Sequence, residues 1–421
     1  MADVQPLRAL HYDLARTGGL QPVAAPPYDV IDDAERAALV AASPYNVVEI
    51  DLPRDPDGGD PYAHAARTLE TWERDGVVVR DAEPALWALE QDYTGPDGRR
   101  RTRRGFLARV RVEDYGPGRI RPHERTHPGP KEDRLRLTRA TNANLSPIFS
   151  LYDDPAGAAW GALAPHATGE PWGEVEDGDG TIHRVWRVGD PAVADAVHAA
   201  LADAELLIAD GHHRYETARV HARESGDPGA GWVLMCLVAL QDAGLTVFPT
   251  HRLLTGLDER RRAELHRTIA RDFTAQDVPA EQLEPTGDGP VRMGFLDAAD
   301  ERPKLLTLRD PAVAAAALPG KPEPYRELDT AVLEGVVLRG ALDMTEDDIS
   351  HLRGLDYARD AKTAETRVHQ GEADAAFFMR GTPVEQVRAV AAAGESMPPK
   401  STYFFPKVLT GIVFNVLREP E

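Results

Sequence analysis

Hydrophobic and polar positions along the first half of this chain fall into short blocks that switch between a two-residue alternation and a helical repeat of about 3.6. Residues 7–14 read as a strand, the stretch after Asp32 as a helix, 46–50 as a strand and 63–74 as a longer helix. Apolar runs at 84–90 and 104–110 flank Pro96-Asp97-Gly98, turn chemistry that predicts a β-hairpin. A helix over 132–141, a short strand at 146–151 and an alternating strand at 181–188 follow. Asp190-Pro191 supplies a cap and a first-turn proline for a helix running to about 204. The glycine-rich stretch 157–180 reads as loop or a small excursion.

Beyond Ser225 the pattern predicts buried strands at 232–240 and 246–249, then a helix over 259–273. Helical periodicity returns at 329–338, 356–370 and 384–393, with a strand at 373–379. No repeat or low-complexity tract interrupts this order. The expected architecture is mixed α/β (α+β), with two intimate lobes and boundaries near Asp114 and Gly226, giving segments 1–115, 116–225 and 226–421.

Composition narrows the classes. The 421 residues hold 48 Lys plus Arg against 69 Asp plus Glu, a net charge of −21 that disfavours general nucleic-acid binding. The single cysteine, Cys236, lies in an apolar run, so disulfides within the chain and thiolate metal clusters are excluded and a buried, inert thiol is expected. No apolar run approaches the length of a membrane span, and residues 1–5 lack the basic start and apolar core of a secretory signal; no membrane role and a cytoplasmic location are expected. The basic run Arg99–Arg104, on the outgoing strand of the hairpin, reads as a solvated edge.

Chemistry concentrates in Asp210-Gly211-His212-His213-Arg214, which follows the apolar strand 205–208 and opens a helical pattern. A helix start presents unpaired backbone N–H groups, Gly211 permits close approach, and Arg214 can clamp an anion through two nitrogens. Asp210 is placed to orient an imidazole or receive a proton. His212 and His213 diverge at a helix start and rarely share one ion, and His-Glu-x-x-His is missing, so a zinc protease is not expected. The alternative is structural: Asp210 caps the helix and both histidines lie on the surface.

A second cluster, residues 121–134, sets His123 and Glu124 as candidate bases beside the cations Lys131 and Arg134. A third, Lys400-Ser401-Thr402 after two prolines, has the composition of an anion-holding turn but lacks the glycine spacing of a P-loop.

The motifs around residues 26–30, 123–126, 131–135, 144–149, 208–218 and 397–403 together resemble domain-of-unknown-function family 1015, over nearly the whole chain. The order of residues 120–124, 146–148 and 210–214 more distantly resembles the ParB/sulfiredoxin fold, and most of all its free serine kinases. That resemblance implies a ParB/sulfiredoxin-like core with a large N-terminal α/β extension and a C-terminal α/β lobe, Glu124 as base toward a serine hydroxyl, and Gly211–Arg214 as phosphate cradle with Asp210 beside it. His212 and His213 stand where sulfiredoxins need a cysteine, and apolar strand follows where ParB proteins need a helix-turn-helix.

The expected function is phosphoryl transfer on a small hydroxy amino acid or its phosphate ester, best matched by serine or phosphoserine, with kinase and phosphatase directions both open. Glu124, His123 or His212 would move the proton. Mg²⁺ would be recruited by Asp210 or Glu124, the donor would be ATP or ADP, and Lys131, Arg134 or Lys400 would neutralise developing charge. The alternative is a non-catalytic sensor of a phosphometabolite or nucleotide.

Overall fold

In the computed structural model, which describes residues 2–95, 97–124, 126, 128–287 and 289–418, with Pro128 and Pro130 described by backbone alone, the chain divides into two units. The first unit comprises Met1–Leu245 and Pro406–Glu421, the second Thr246–Phe405. Both expected boundaries fall inside the first unit. The reason is strand pairing: elements from either side of each boundary hydrogen-bond into one sheet.

Nine strands build that sheet among the described residues: β1 Val4–Gln5, β2 Leu86–Thr94, β3 Arg100–Arg111, β4 Ile120–Arg121, β5 Ile148–Tyr152, β6 Gly173–Glu176, β7 Ile182–Val188, β8 Leu206–Asp210 and β9 Trp232–Ala239. Their order is β4-β8-β5-β9-β3-β2-β7-β6, with β1 also on β3. β2 and β3 form the predicted hairpin, Trp87 opposite Leu107 and Thr94 opposite Arg100. β9 lies between β3, antiparallel, and β5, parallel, and its residues 233–238 are buried on both faces of the sheet, which explains its nearly unbroken apolar sequence.

The four longest helices of the first unit among the described residues are α1 Pro61–Arg74, α2 Pro128–Thr141, α3 Pro191–Leu201 and α4 His212–Ser225. α3 begins as the sequence predicts, Asp190 capping the Ala192 N–H and Pro191 in the first turn. Leu206 and Ile208 from β8, Met235 and Leu237 from β9 and Tyr215 and Ala218 from α4 share one apolar core, which clamps α4 onto the sheet. Cys236 is buried, and burial pushes its thiol up to about 12, as an inert core cysteine requires.

The second unit has its own six-stranded sheet, in the order Phe273–Asp277, Lys304–Leu308, Arg292–Asp297, Ala375–Phe378, His251–Leu254 and Leu355–Ala358, and its own core around Phe295, Phe377 and Val337. The mixed α/β class expected from the sequence is the class observed. No helix among the described residues is long and apolar enough to cross a membrane.

Local readings fail where side chains redirect the backbone. Residues 46–50 are not a strand: Asn46 accepts from the Val48 N–H at 3.1 Å and donates to the carbonyls of Pro22 and Ala24, starting the helix Val48–Asp51. In the stretch 157–180, Asp154 caps the helix Ala158–Leu163 through two backbone N–H groups, and β6 joins the sheet. Residues 356–370 divide into the strand Leu355–Ala358 and the helix Ala361–His369, with Asp360 as cap.

Candidate phosphate site

Strand β8 ends at Asp210, and its register against β5 shifts between Ile208 and Asp210, an irregularity that turns the end of the strand beside the site. Gly211 follows at φ 95°, a left-handed conformation that favours glycine, and a Cβ there would lie 3.0 Å from Arg214 Nε. α4 then starts at His212 with no side-chain cap. The strand, one-residue turn and helix start are those the sequence predicts; the structural alternative, with Asp210 as cap and surface histidines, is not what forms.

Asp210 instead holds two cations. Its Oδ1 accepts from Lys407 Nζ at 2.5 Å and its Oδ2 from Arg214 Nη2 at 2.5 Å. Burial penalises the carboxylate charge, but Lys407 and Arg214 outweigh that penalty and hold the group far below the usual carboxylate range. Both oxygens are thereby engaged by cations. Among the described residues no three His, Cys, Asp or Glu side chains gather as a metal-binding group.

Arg214 is also engaged differently from the sequence picture of a bidentate anion clamp. Nη2 goes to Asp210 and Nη1 to the Pro147 carbonyl, while the buried Nε has no hydrogen-bond partner among the described residues. Burial opposes its charge, yet Asp210, with Asp29, Tyr28 and Asp51, raises its pKa above the ordinary value.

The segment around Glu124 reaches the same helix start. The His123 N–H donates to His212 Nε2 at 3.2 Å, so in neutral His212 the proton sits on Nδ1, 3.7 Å from Glu124 Oε2. His123 Nδ1 donates to the Ile208 carbonyl at 2.6 Å, leaving its Nε2 3.9 Å from Glu124 Oε1. The rings meet edge to face, 4.6 Å between centroids. Burial depresses both imidazoles, and His123 presses His212 lower still, so both stay neutral near pH 7. Glu124 is 41% exposed, a solvent-reachable carboxylate backed by two buried rings.

Lys131 and Arg134 lie on α2, beside α4, where the Lys131 carbonyl accepts from Thr217 Oγ1 at 3.4 Å. Arg134 is buried, pairs with Asp51 and Asp133 and stacks 4.0 Å over the Tyr28 ring, so its charge is spent inside the fold. His213 is half-buried on the first turn of α4. Lys400, Ser401 and Thr402 belong to the second unit. There Ser401 donates to the Pro398 carbonyl at 2.6 Å, and Lys400, at φ 57°, gives its carbonyl to Arg252; the first two residues of the anticipated anion-holding turn are tied into that unit's own packing.

The residue the sequence reading did not single out is Lys407. It lies five residues beyond Thr402 of the third cluster, and nothing local connects it to Asp210. The buried Arg103 fixes it: Arg103 donates to Gln91 Oε1 and, at 2.6 Å, to the Pro406 carbonyl, while Gln91 Nε2 donates to the Lys407 carbonyl at 3.0 Å. Arg103 is fully buried, with burial lowering its pKa to about 10, which corrects the reading of Arg99–Arg104 as solvated throughout.

Comparisons with known proteins extend the picture. The family model described as a protein of unknown function (DUF1015) matches residues 4–331. No match was found among curated proteins. Solved structures that resemble the chain include a conserved hypothetical protein from Pyrococcus furiosus, at 16% identity, covering 71% of this chain and 90% of that one, with a TM-score of 0.34. A free serine kinase in complex with AMP is 14% identical, with 71% and 86% covered and a TM-score of 0.36. The C-terminally truncated SbnI from Staphylococcus aureus is 13% identical, with 72% and 85% covered and a TM-score of 0.36.

Proposed function

The chain belongs to the DUF1015 family of proteins of unknown function, and from that premise we propose that it is a phosphoryl-transfer enzyme acting on a small hydroxy amino acid or its phosphate ester, serine or phosphoserine fitting best. The observation that carries this reading is the meeting of Glu124 with the start of α4: its carboxylate stands 3.7 Å from His212, two residues before Arg214. A base and an anion-accepting helix start then share one place. The choice of serine rests on the motif resemblance to free serine kinases.

In this reading the phosphoryl group lies on the first-turn N–H groups of α4 beneath Gly211, within reach of the spare Arg214 Nε. Glu124 takes the proton from the serine hydroxyl in the kinase direction, or from water in the phosphatase direction. His212, with its proton on Nδ1, steadies that carboxylate. Asp210 acts by position, holding Lys407 and Arg214 beside the developing charge. A nucleotide, ATP or ADP, is the donor in the kinase direction, and any Mg²⁺ on its phosphates would be met by Asp210 or Glu124.

One observation favours the second reading, a phosphometabolite or nucleotide sensor: both Asp210 oxygens are already committed to ion pairs. Phosphorus NMR separates the two. The protein is incubated with phosphoserine and Mg²⁺, and separately with serine, Mg²⁺ and ATP or ADP. Released phosphate or new phosphoserine supports the enzyme; measurable binding without turnover supports the sensor.

A further inference from the structure

The first unit carries a cationic cavity built from residues that the proposed reaction does not use. It encloses about 310 Å³ and is lined by Arg8, Arg80, Arg109, Arg418, Trp232 and Pro84 among others. Four separate pieces of the chain supply the arginines. Arg80 ends the short strand Val78–Arg80, which pairs with Leu10–Tyr12 just beyond Arg8; Arg109 comes from β3, and Arg418 follows the strand Asn415–Val416.

Glu73 and Glu83 offset part of this charge. Arg418 lies 2.9 Å from Glu73, Arg8 only 4.0 Å from Glu83, and the two side chains are 49% and 47% exposed. Arg80 donates through Nη2 to the Arg418 carbonyl at 3.0 Å, while its buried Nε has no hydrogen-bond partner among the described residues. Burial lowers the Arg80 pKa and neighbouring Arg418 and Arg8 push the same way, against Glu73. Arg109 donates to Gln5 and stacks 4.6 Å over Trp232. In a chain of net charge −21 this cluster is a local reversal of sign, and its field draws small anions.

The shape of the cluster selects among anions. Arg8, Arg80 and Arg418 line one cavity, and three guanidinium groups around one space suit a tetrahedral group with three acceptor oxygens better than a planar carboxylate with two. Pro6, Pro84 and Arg109 also line an adjoining cavity of about 620 Å³ whose walls include Val188, Pro191 and Ala194, so an apolar body attached to the anion has room. We propose that this pocket binds a phosphate monoester of a small organic molecule, its phosphoryl group held by Arg8, Arg80 and Arg418 and its organic part lying toward Trp232 and the adjoining cavity.

The test is titration calorimetry of the full chain with phenyl phosphate, and with inorganic phosphate as the anion alone. Arg8→Glu with Arg418→Glu alters two exposed side chains and preserves the fold, which circular dichroism checks. The pair of substitutions weakens phenyl phosphate binding at least tenfold or so, the loss of two charge-assisted contacts. Arg80→Lys, which keeps the charge and loses the fork, gives a smaller loss. Arg214→Ala leaves this binding event intact and removes only the one assigned to the α4 start, so failure of one site does not mimic failure of the other. An isotherm for the Arg8/Arg418 variant that superimposes on the parent's, or a parent that binds no phenyl phosphate at millimolar concentration, overturns the proposal.

Discussion

Replacing Lys407 by Met isolates the ion pair on which the site geometry depends. Lys407 Nζ lies 2.5 Å from Asp210 Oδ1, with the two side chains only 22% and 18% exposed. At an effective dielectric near 20, such a pair has a gross Coulomb attraction of roughly 7 kcal/mol. Desolvation cancels much of that, and Arg214 still holds Oδ2, so the expected net loss is about 2 kcal/mol, below the roughly 3–5 kcal/mol of leaving a buried charge with no partner. The sign of the pH dependence follows from the depressed Asp210 pKa. In the parent, stability from this group is present above the unfolded carboxylate value of about 3.9 and falls away as pH drops toward the folded value. In Lys407→Met the folded value moves up toward the unfolded one, so the gap between the two proteins is full at pH 7 and narrows below about pH 4. Urea unfolding followed by circular dichroism, from pH 7 down to pH 3, reads both effects. A gap smaller than about 0.5 kcal/mol at pH 7, the size of an exposed pair, or one that does not change with pH, would mean that Lys407 does not hold Asp210 in a buried pair.

Other expectations are simpler to state. Gly211→Ala forces a Cβ into the left-handed region and 3.0 Å from Arg214 Nε, and should cost about 1–2 kcal/mol in unfolding free energy and weaken phosphate binding in the same preparation. Glu124→Gln, at a 41% exposed position, should leave the melting temperature within a degree or two of the parent's, a negligible stability change, while turnover falls by about 10²–10⁴ if Glu124 is the base. Because burial depresses His123 and His212, the unfolded chain takes up more protons than the folded one below about pH 6.5, so stability should decline from pH 7 to pH 5; His212→Gln should flatten that decline in denaturant titrations.

Much of the fold was legible because it follows local pattern. The hairpin β2–β3 carried its turn residues, α3 its cap and proline, and β9 the continuous apolar run of a strand covered on both faces. The turn at Gly211 was legible for the same reason, since strand, glycine and helix adjoin in sequence. What the sequence hid was long-range pairing. Arg103 sits in a run of arginines that looks uniformly solvated, and only the return of Pro406 to the first unit explains its burial. Lys407 belongs to the site through Asp210, 197 positions away, and no periodicity encodes such a partner. Asn46 shows the converse at short range, where one amide side chain overrides a β-branched run.

A crystal structure of the protein with phosphoserine bound is the most direct test of the phosphate site. The phosphoryl oxygens are expected within hydrogen-bond distance of the backbone N–H groups of His212, His213 and Arg214, and the ester oxygen facing the Glu124 carboxylate. Phosphoserine found only in the arginine-lined cavity, or with its ester oxygen turned away from Glu124, would contradict that expectation.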